Sequence, residues 1–227
     1  MITHTMTKPE LLTELTREDD WIQDRKDGVC VKYRKLLNPK KVPEGFRVLA
    51  RTTYTTPRNN KVIVFWVRVK RDKLLMVETV YYFEYQTPNG KKQYLMPLFN
   101  NRSDAQEVVI FTVHAMQRVQ ERAGMPFLDL AEYECNHGVA GKKAKYTYNG
   151  KETLVVNAGD KGLFILEEDK WGYAAATFIS NQIMKDNQTE KLNECEKYTK
   201  EYQQHRTDDF NQKLKDIPRY IRRKMAL

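Results

Sequence analysis

A chain of 227 residues with 41% hydrophobic residues is long enough to bury a sizeable core. Lys and Arg number 39 against 30 Asp and Glu, a formal net charge of +9 that favours polyanionic partners, nucleic acid first among them, although the excess is scattered rather than blocked. No apolar run approaches the ~18 residues of a membrane span, and residues 1–10 lack the apolar stretch of a signal peptide, so no membrane role and a cytoplasmic location are expected.

The chain opens with Thr7-Lys8-Pro9-Glu10, which has the form of a capping box with proline in the first turn. Leu11, Leu12, Leu15 and Ile22 then recur at helical spacing, so residues 8–24 are expected to form an amphipathic helix. Asp27-Gly28 reads as a turn into a short strand over residues 29–33, and the Pro, Gly and Lys of residues 38–45 read as a linker. Residues 1–45 thus form an N-terminal helical arm that docks on the main body or on a partner.

From residue 46 the period changes to two. Phe46, Val48, Ala50, Thr52 and Tyr54 alternate with polar residues, and residues 61–70 are an almost continuous β-branched and aromatic run. Residues 73–86 place Leu75, Val77, Thr79, Tyr81, Phe83 and Tyr85 on one face, and Pro88-Asn89-Gly90 supplies a hairpin turn into residues 91–99. An antiparallel meander of about four strands follows from this pattern. Its tyrosines and Phe83 offer either a stacking platform for bases or core and cross-strand pairs, and the core is the commoner use of such a stripe.

Beyond the meander, residues 108–111 read as a strand that feeds a helix over residues 112–124. A second helix is expected over residues 126–134, a hairpin over residues 146–157 turning at Asn149-Gly150, and a further strand over residues 163–167. Residues 177–184 are expected to cross from strand into helix, and the charged stretch 188–215 to form one or two long surface helices. The expected fold is therefore α+β: a meander and a hairpin packed with short central helices, an N-terminal helix and long C-terminal helices. Three parts are expected, namely the arm (1–45), an α+β body (46–186) and a C-terminal helical extension (187–227). The N-terminal and C-terminal helices are also the natural places for a protein partner to bind.

The helix at 112–124 carries the most chemistry. Thr112 can cap it, Gly124 can end it in the left-handed conformation, and Pro126 blocks its continuation. At 100° per residue, Ala115, Met116, Val119 and Ala123 share one face, whereas His114, Arg118, Glu121 and Arg122 share the opposite one. One face packs, and the other presents an imidazole, a carboxylate and two guanidinium groups.

Residues 110–133, I-F-T-V-H-A-M-Q-R-V-Q-E-R-A-G-M-P-F-L-D-L-A-E-Y, resemble small bacterial domains of the RelE and ParE toxin-like superfamily. Those domains open with a strand and a His-Ala-x-x-Arg-x-x-Glu-Arg helix, followed by a second helix and an antiparallel sheet. The resemblance implies a metal-independent ribonuclease with His114, Arg118, Glu121 and Arg122 as its catalytic residues. The meander before the motif and the helices after it lie outside the resemblance.

Such cleavage needs a base for the 2′-hydroxyl, an acid for the leaving oxygen and cations around the phosphorane, and these four residues supply those group types. The same residues also fit phosphate binding without cleavage, or a solvated face in which Arg118 and Glu121 form an ordinary i, i+3 ion pair. Lys142, Lys143, Lys145 and Lys151 cluster around the hairpin, and Arg222 and Arg223 lie in a basic tail, so both groups are candidates for contact with RNA or single-stranded DNA.

Cys30, Cys135 and Cys195 are odd in number and widely separated, which argues against a disulfide framework. Cys135-Asn136-His137, with His114 at a distance, lacks ligand spacing, so neither a metal nor another cofactor is expected. The leading reading is a nucleic-acid-binding protein with ribonuclease chemistry in reach. The alternative is a non-enzymatic structural or protein-interaction component of a bacterial mobile element or phage.

Overall fold

The structure, a computed structural model, describes residues 1–38, 42–71, 74–99, 104–141, 143–148 and 151–183. The long C-terminal helices expected from the sequence lie outside these residues. Within them the protein is α+β. The first helix, α1 (Lys8–Gln23), opens as the capping motif requires: the Glu10 carboxylate accepts a 2.8 Å bond from the Thr7 amide. A second helix, α2 (Lys26–Lys32), occupies the stretch that alternates like a strand. Gly28 lies inside α2 rather than at a turn, because the helix places Val29 and Cys30 together against the sheet, and that burial outweighs the helix cost of one glycine.

Five antiparallel strands follow in sequence, β1 (Gly45–Thr55), β2 (Lys61–Arg71), β3 (Leu74–Gln86), β4 (Lys92–Phe99) and β5 (Ala105–Phe111). The turn between β3 and β4 has the expected form, with the Thr87 amide bonded to the Lys91 carbonyl at 2.9 Å and Gly90 at φ 72°. The helices α3 (Val113–Ala123) and α4 (Phe127–His137) come next, then β6 (Lys143–Tyr148), β7 (Lys151–Asn157), β8 (Gly162–Asp169) and β9 (Gly172–Ser180). Residues 177–180 complete β9, and a 3-10 turn, Asn181–Ile183, follows and ends the described residues.

The nine strands of the described residues form one sheet in the order β1-β2-β3-β4-β5-β9-β8-β7-β6. Its one parallel pair joins β5 to β9, with Val108 opposite Gly172 and Phe111 opposite Ala175. A Cβ on Gly172 would come within 2.6 Å of the Val108 carbonyl oxygen, so only glycine allows this approach. The sheet is strongly curled. Four interstrand steps of about 4.8 Å would hold β5 and β6 roughly 19 Å apart if it were flat. Yet Lys143 of β6 reaches Glu107 of β5 at 2.6 Å.

Both faces of the sheet are covered. On one, α1 buries Leu11, Leu15 and Ile22 against Val64, Trp66, Tyr81 and Phe83. The arm therefore docks on the body. Its polar side is buried too: Asn60 donates to Glu14 at 2.9 Å and to Glu18 at 2.6 Å, and Tyr81 donates to Asp19 at 2.7 Å. On the other face, Phe65, Tyr82, Val109 and Phe111 of the meander share a core with Val156, Phe164 and Phe178 under α3 and α4. The aromatic stripe is thus core: Tyr81, Phe83 and Tyr85 lie under α1, and Tyr82 packs edge-on against Phe65 and Phe127 on the opposite face.

Candidate nucleic-acid interface

Helix α3 is framed as its sequence dictates. The Thr112 hydroxyl accepts from the Ala115 amide at 3.2 Å and donates to the Ala175 carbonyl at 2.8 Å, so the cap also ties the helix to β9. Gly124 closes it at φ 68° and ψ 18°. Ala115 and Val119 are fully buried, with Met116 and Ala123 packed beside them, while His114 and Glu121 face solvent.

The four polar residues do not act as one group. Arg118 and Glu121 form an ion pair at 2.6 Å with more than a third of each side chain exposed. Such a pair contributes only a few tenths of a kcal/mol. Arg122 turns the other way and donates to the Phe178 carbonyl of β9, which makes it a clasp between helix and sheet. His114 stands alone at the first turn. Glu121 is seven residues further on, a rise of about 10 Å, whereas Arg118 is only about 6 Å away. His114 and Arg118 can therefore reach one phosphate together, although the Glu121 carboxylate, on the far side of Arg118 from His114 along the helix, already bonds the Arg118 guanidinium.

The hairpin lysines divide as well. Lys143 is neutralised by Glu107 and lies 4.9 Å from the centre of the Tyr173 ring, and Lys145 is exposed and in polar contact. Both sit on β6, the free edge of the sheet, where lysines also discourage strand addition by another chain. Lys142, Arg222, Arg223 and the side chain of Lys151 lie outside the described residues.

No family model, curated protein or solved structure matches this chain.

Two groupings escape a sequence reading. In the first, Tyr133 of α4 donates a hydrogen bond to Asp160, its ring stacks on His137 at 4.0 Å, and Lys161 lies 4.9 Å over it. The Tyr133 hydroxyl, ahead of the Lys161 ammonium, holds the Asp160 carboxyl below its ordinary range. In the second, Glu134 is buried on the packed face of α4, and its Oε1 lacks a hydrogen-bond partner. Burial pushes this acid up to about 8, and raises Cys135 next to it. The Tyr82 hydroxyl, buried in the same core, is raised by burial first and by Glu134 second. Cys135, Asn136 and His137 point in three directions, with Cys135 buried, Asn136 accepting from the Val48 amide at 2.8 Å and His137 exposed. Among the described residues no group of three or more His, Cys, Asp or Glu is placed to hold a metal ion, and no helix is long and apolar enough to cross a membrane.

Proposed function

We propose that the protein binds RNA or single-stranded DNA, with the exposed face of α3 as one contact to the phosphate backbone. The net charge of +9 carries the reading, since a cationic surface gathers polyanions over a Debye length without needing a specific pocket. His114 and Arg118, about one helical turn apart on that face, supply an imidazole and a guanidinium for a single phosphate, which would compete with Glu121 for Arg118 in an exposed ion pair. The reading is binding rather than cleavage. A ribonuclease needs a second proton-transfer group beside the same phosphate, whereas Glu121 is paired with Arg118 and Arg122 is committed to a backbone carbonyl. A protein-interaction role is the second reading, favoured by Val31 and Leu36, which stay 70% and 40% exposed on α2 and the 3-10 turn after it.

Fluorescence anisotropy with a single-stranded RNA oligomer tests the proposal. Log affinity should fall linearly with log salt with a slope of several, and His114→Ala with Arg118→Ala should weaken binding while melting is unchanged. Absence of binding at about 50 mM salt removes nucleic acid from consideration. A shortened, labelled product on a gel would restore the ribonuclease reading.

A further inference from the structure

On the other side of the sheet from α3, three cations converge without a counterion among the described residues. Arg47 and Arg68 are directly opposite each other across β1 and β2, and Lys70, two residues on, lies opposite Gly45. Opposed residues on antiparallel strands share a face with Cβ atoms about 5 Å apart, and i, i+2 neighbours on that face are about 7 Å apart. On the third strand the opposed residues are Val77 and Leu75, so these positions supply no carboxylate, and Glu78 is paired with Val67 on the opposite face. Among the described residues the acid nearest in the chain is Glu44, which is exposed and already in polar contact, while Asp72, two residues beyond Lys70, lies outside the described residues.

Arg68 is only 3% exposed and Lys70 9%. The Arg68 guanidinium makes one long bond, Nη2 to the Pro43 carbonyl at 3.4 Å, and its Nε is buried with no partner. Burial, followed by the charge of Arg47, lowers its proton affinity. Arg47 and Lys70 form no hydrogen bond or ion pair with any described residue. Like charges directly opposite each other on a sheet are destabilising, and a covered guanidinium with an idle Nε is more so. Among the described residues nothing in the packing offsets that cost, whereas an anion would.

We propose that Arg47, Arg68 and Lys70 form a binding site for a phosphate-type oxyanion. The idle Nε of Arg68, beside the weakly bonded Nη2, offers the planar fork that such an oxyanion accepts in bidentate fashion, and Arg47 adds a second guanidinium and Lys70 a point charge. The anion is either free phosphate or a phosphoryl group of a nucleic acid. The site does not depend on α3, which packs on the opposite face.

Calorimetric titration of the full chain with potassium phosphate, against potassium chloride at matched ionic strength, tests the assignment. Saturable binding is expected, and the exposed change Arg47→Gln should weaken it about tenfold or more. Arg68→Met should abolish it without lowering the melting temperature, since replacing a buried uncompensated charge by an apolar side chain is often neutral or stabilising. Should Arg68→Met fail to fold, Lys70→Met serves in its place. Binding that is absent, or equal in Arg47→Gln and the parent, overturns the site. A second arm adds the RNA oligomer. Displacement of bound phosphate identifies the nucleic-acid backbone as the source, and simultaneous binding identifies a free phosphate. Phosphate binding with no RNA binding leaves this site standing while refuting the nucleic-acid reading.

Discussion

Glu134→Gln should remove a pH dependence of stability, with little effect at the acid end and its largest effect above about pH 8. Burial lifts the Glu134 carboxyl from an ordinary 4.5 to about 8. Below the lower value both folded and unfolded chains hold the proton, and the acid leaves stability untouched. Between the two values only the folded chain keeps it, so stability falls by about 1.4 kcal/mol for each pH unit. Above the upper value both states are ionised and the loss levels off, having reached roughly 5 kcal/mol in all. That is comparable with the whole stability of many domains, about 5–15 kcal/mol. Gln keeps the shape and cannot ionise, so its profile should be flat where the parent slopes. Urea unfolding of both proteins at intervals from about pH 5 to pH 9 measures the difference. Parallel profiles would show that Glu134 is solvated or paired, and would refute the reasoning.

Other substitutions probe the clasp, the arm and the seam. Arg122→Ala leaves the Phe178 carbonyl without its charged donor and should cost about 1.5–3 kcal/mol by urea unfolding, whereas Arg118→Ala should stay within about 0.5 kcal/mol; equal effects would make Arg122 an ordinary exposed arginine. Asn60→Leu removes donors from buried Glu14 and Glu18 and should cost roughly 3 kcal/mol, with proteolysis releasing α1 before the rest. Uniform cleavage along the chain would contradict this. Gly172→Ala forces a Cβ to within 2.6 Å of the Val108 carbonyl at φ 152°, and should lower the melting temperature sharply, while an unchanged melt would mean that the β5/β9 pair can open to admit it.

Where local chemistry decides the structure, the sequence is readable. Thr112 and Gly124 mark α3 within a residue at each end, and the β-branched run in β2 and the Pro88-Asn89-Gly90 turn need no tertiary information. Residues 29–33 mislead, because Val29, Val31 and Tyr33 alternate as a strand would, and only the sheet beneath explains the helix. The polar face of α3 is legible as a face, but the division of labour within it is not. Arg122 is a clasp only because the Phe178 carbonyl of β9 lies below it, 56 residues away in the chain. Glu134 sits in a periodic apolar set, Phe127, Leu130, Ala131 and Cys135, and its burial follows from that set, although a lone glutamate gives no sign of it. Arg47 and Arg68 come together solely through strand register, which composition does not encode.

The parallel seam has a consequence for how the chain finds its fold. From β1 to β5 each strand pairs with the next, so the meander can zip up hairpin by hairpin with little loop entropy to overcome. The strands β6 to β9 do the same on their own side. Only β5 and β9 must meet across about 60 residues of intervening chain, and the two halves share a core only after they do. Closure of the seam is therefore the slow step expected in refolding. Until it happens, the facing edges of β5 and β9 are open strands, exposed to pairing with another copy of the chain.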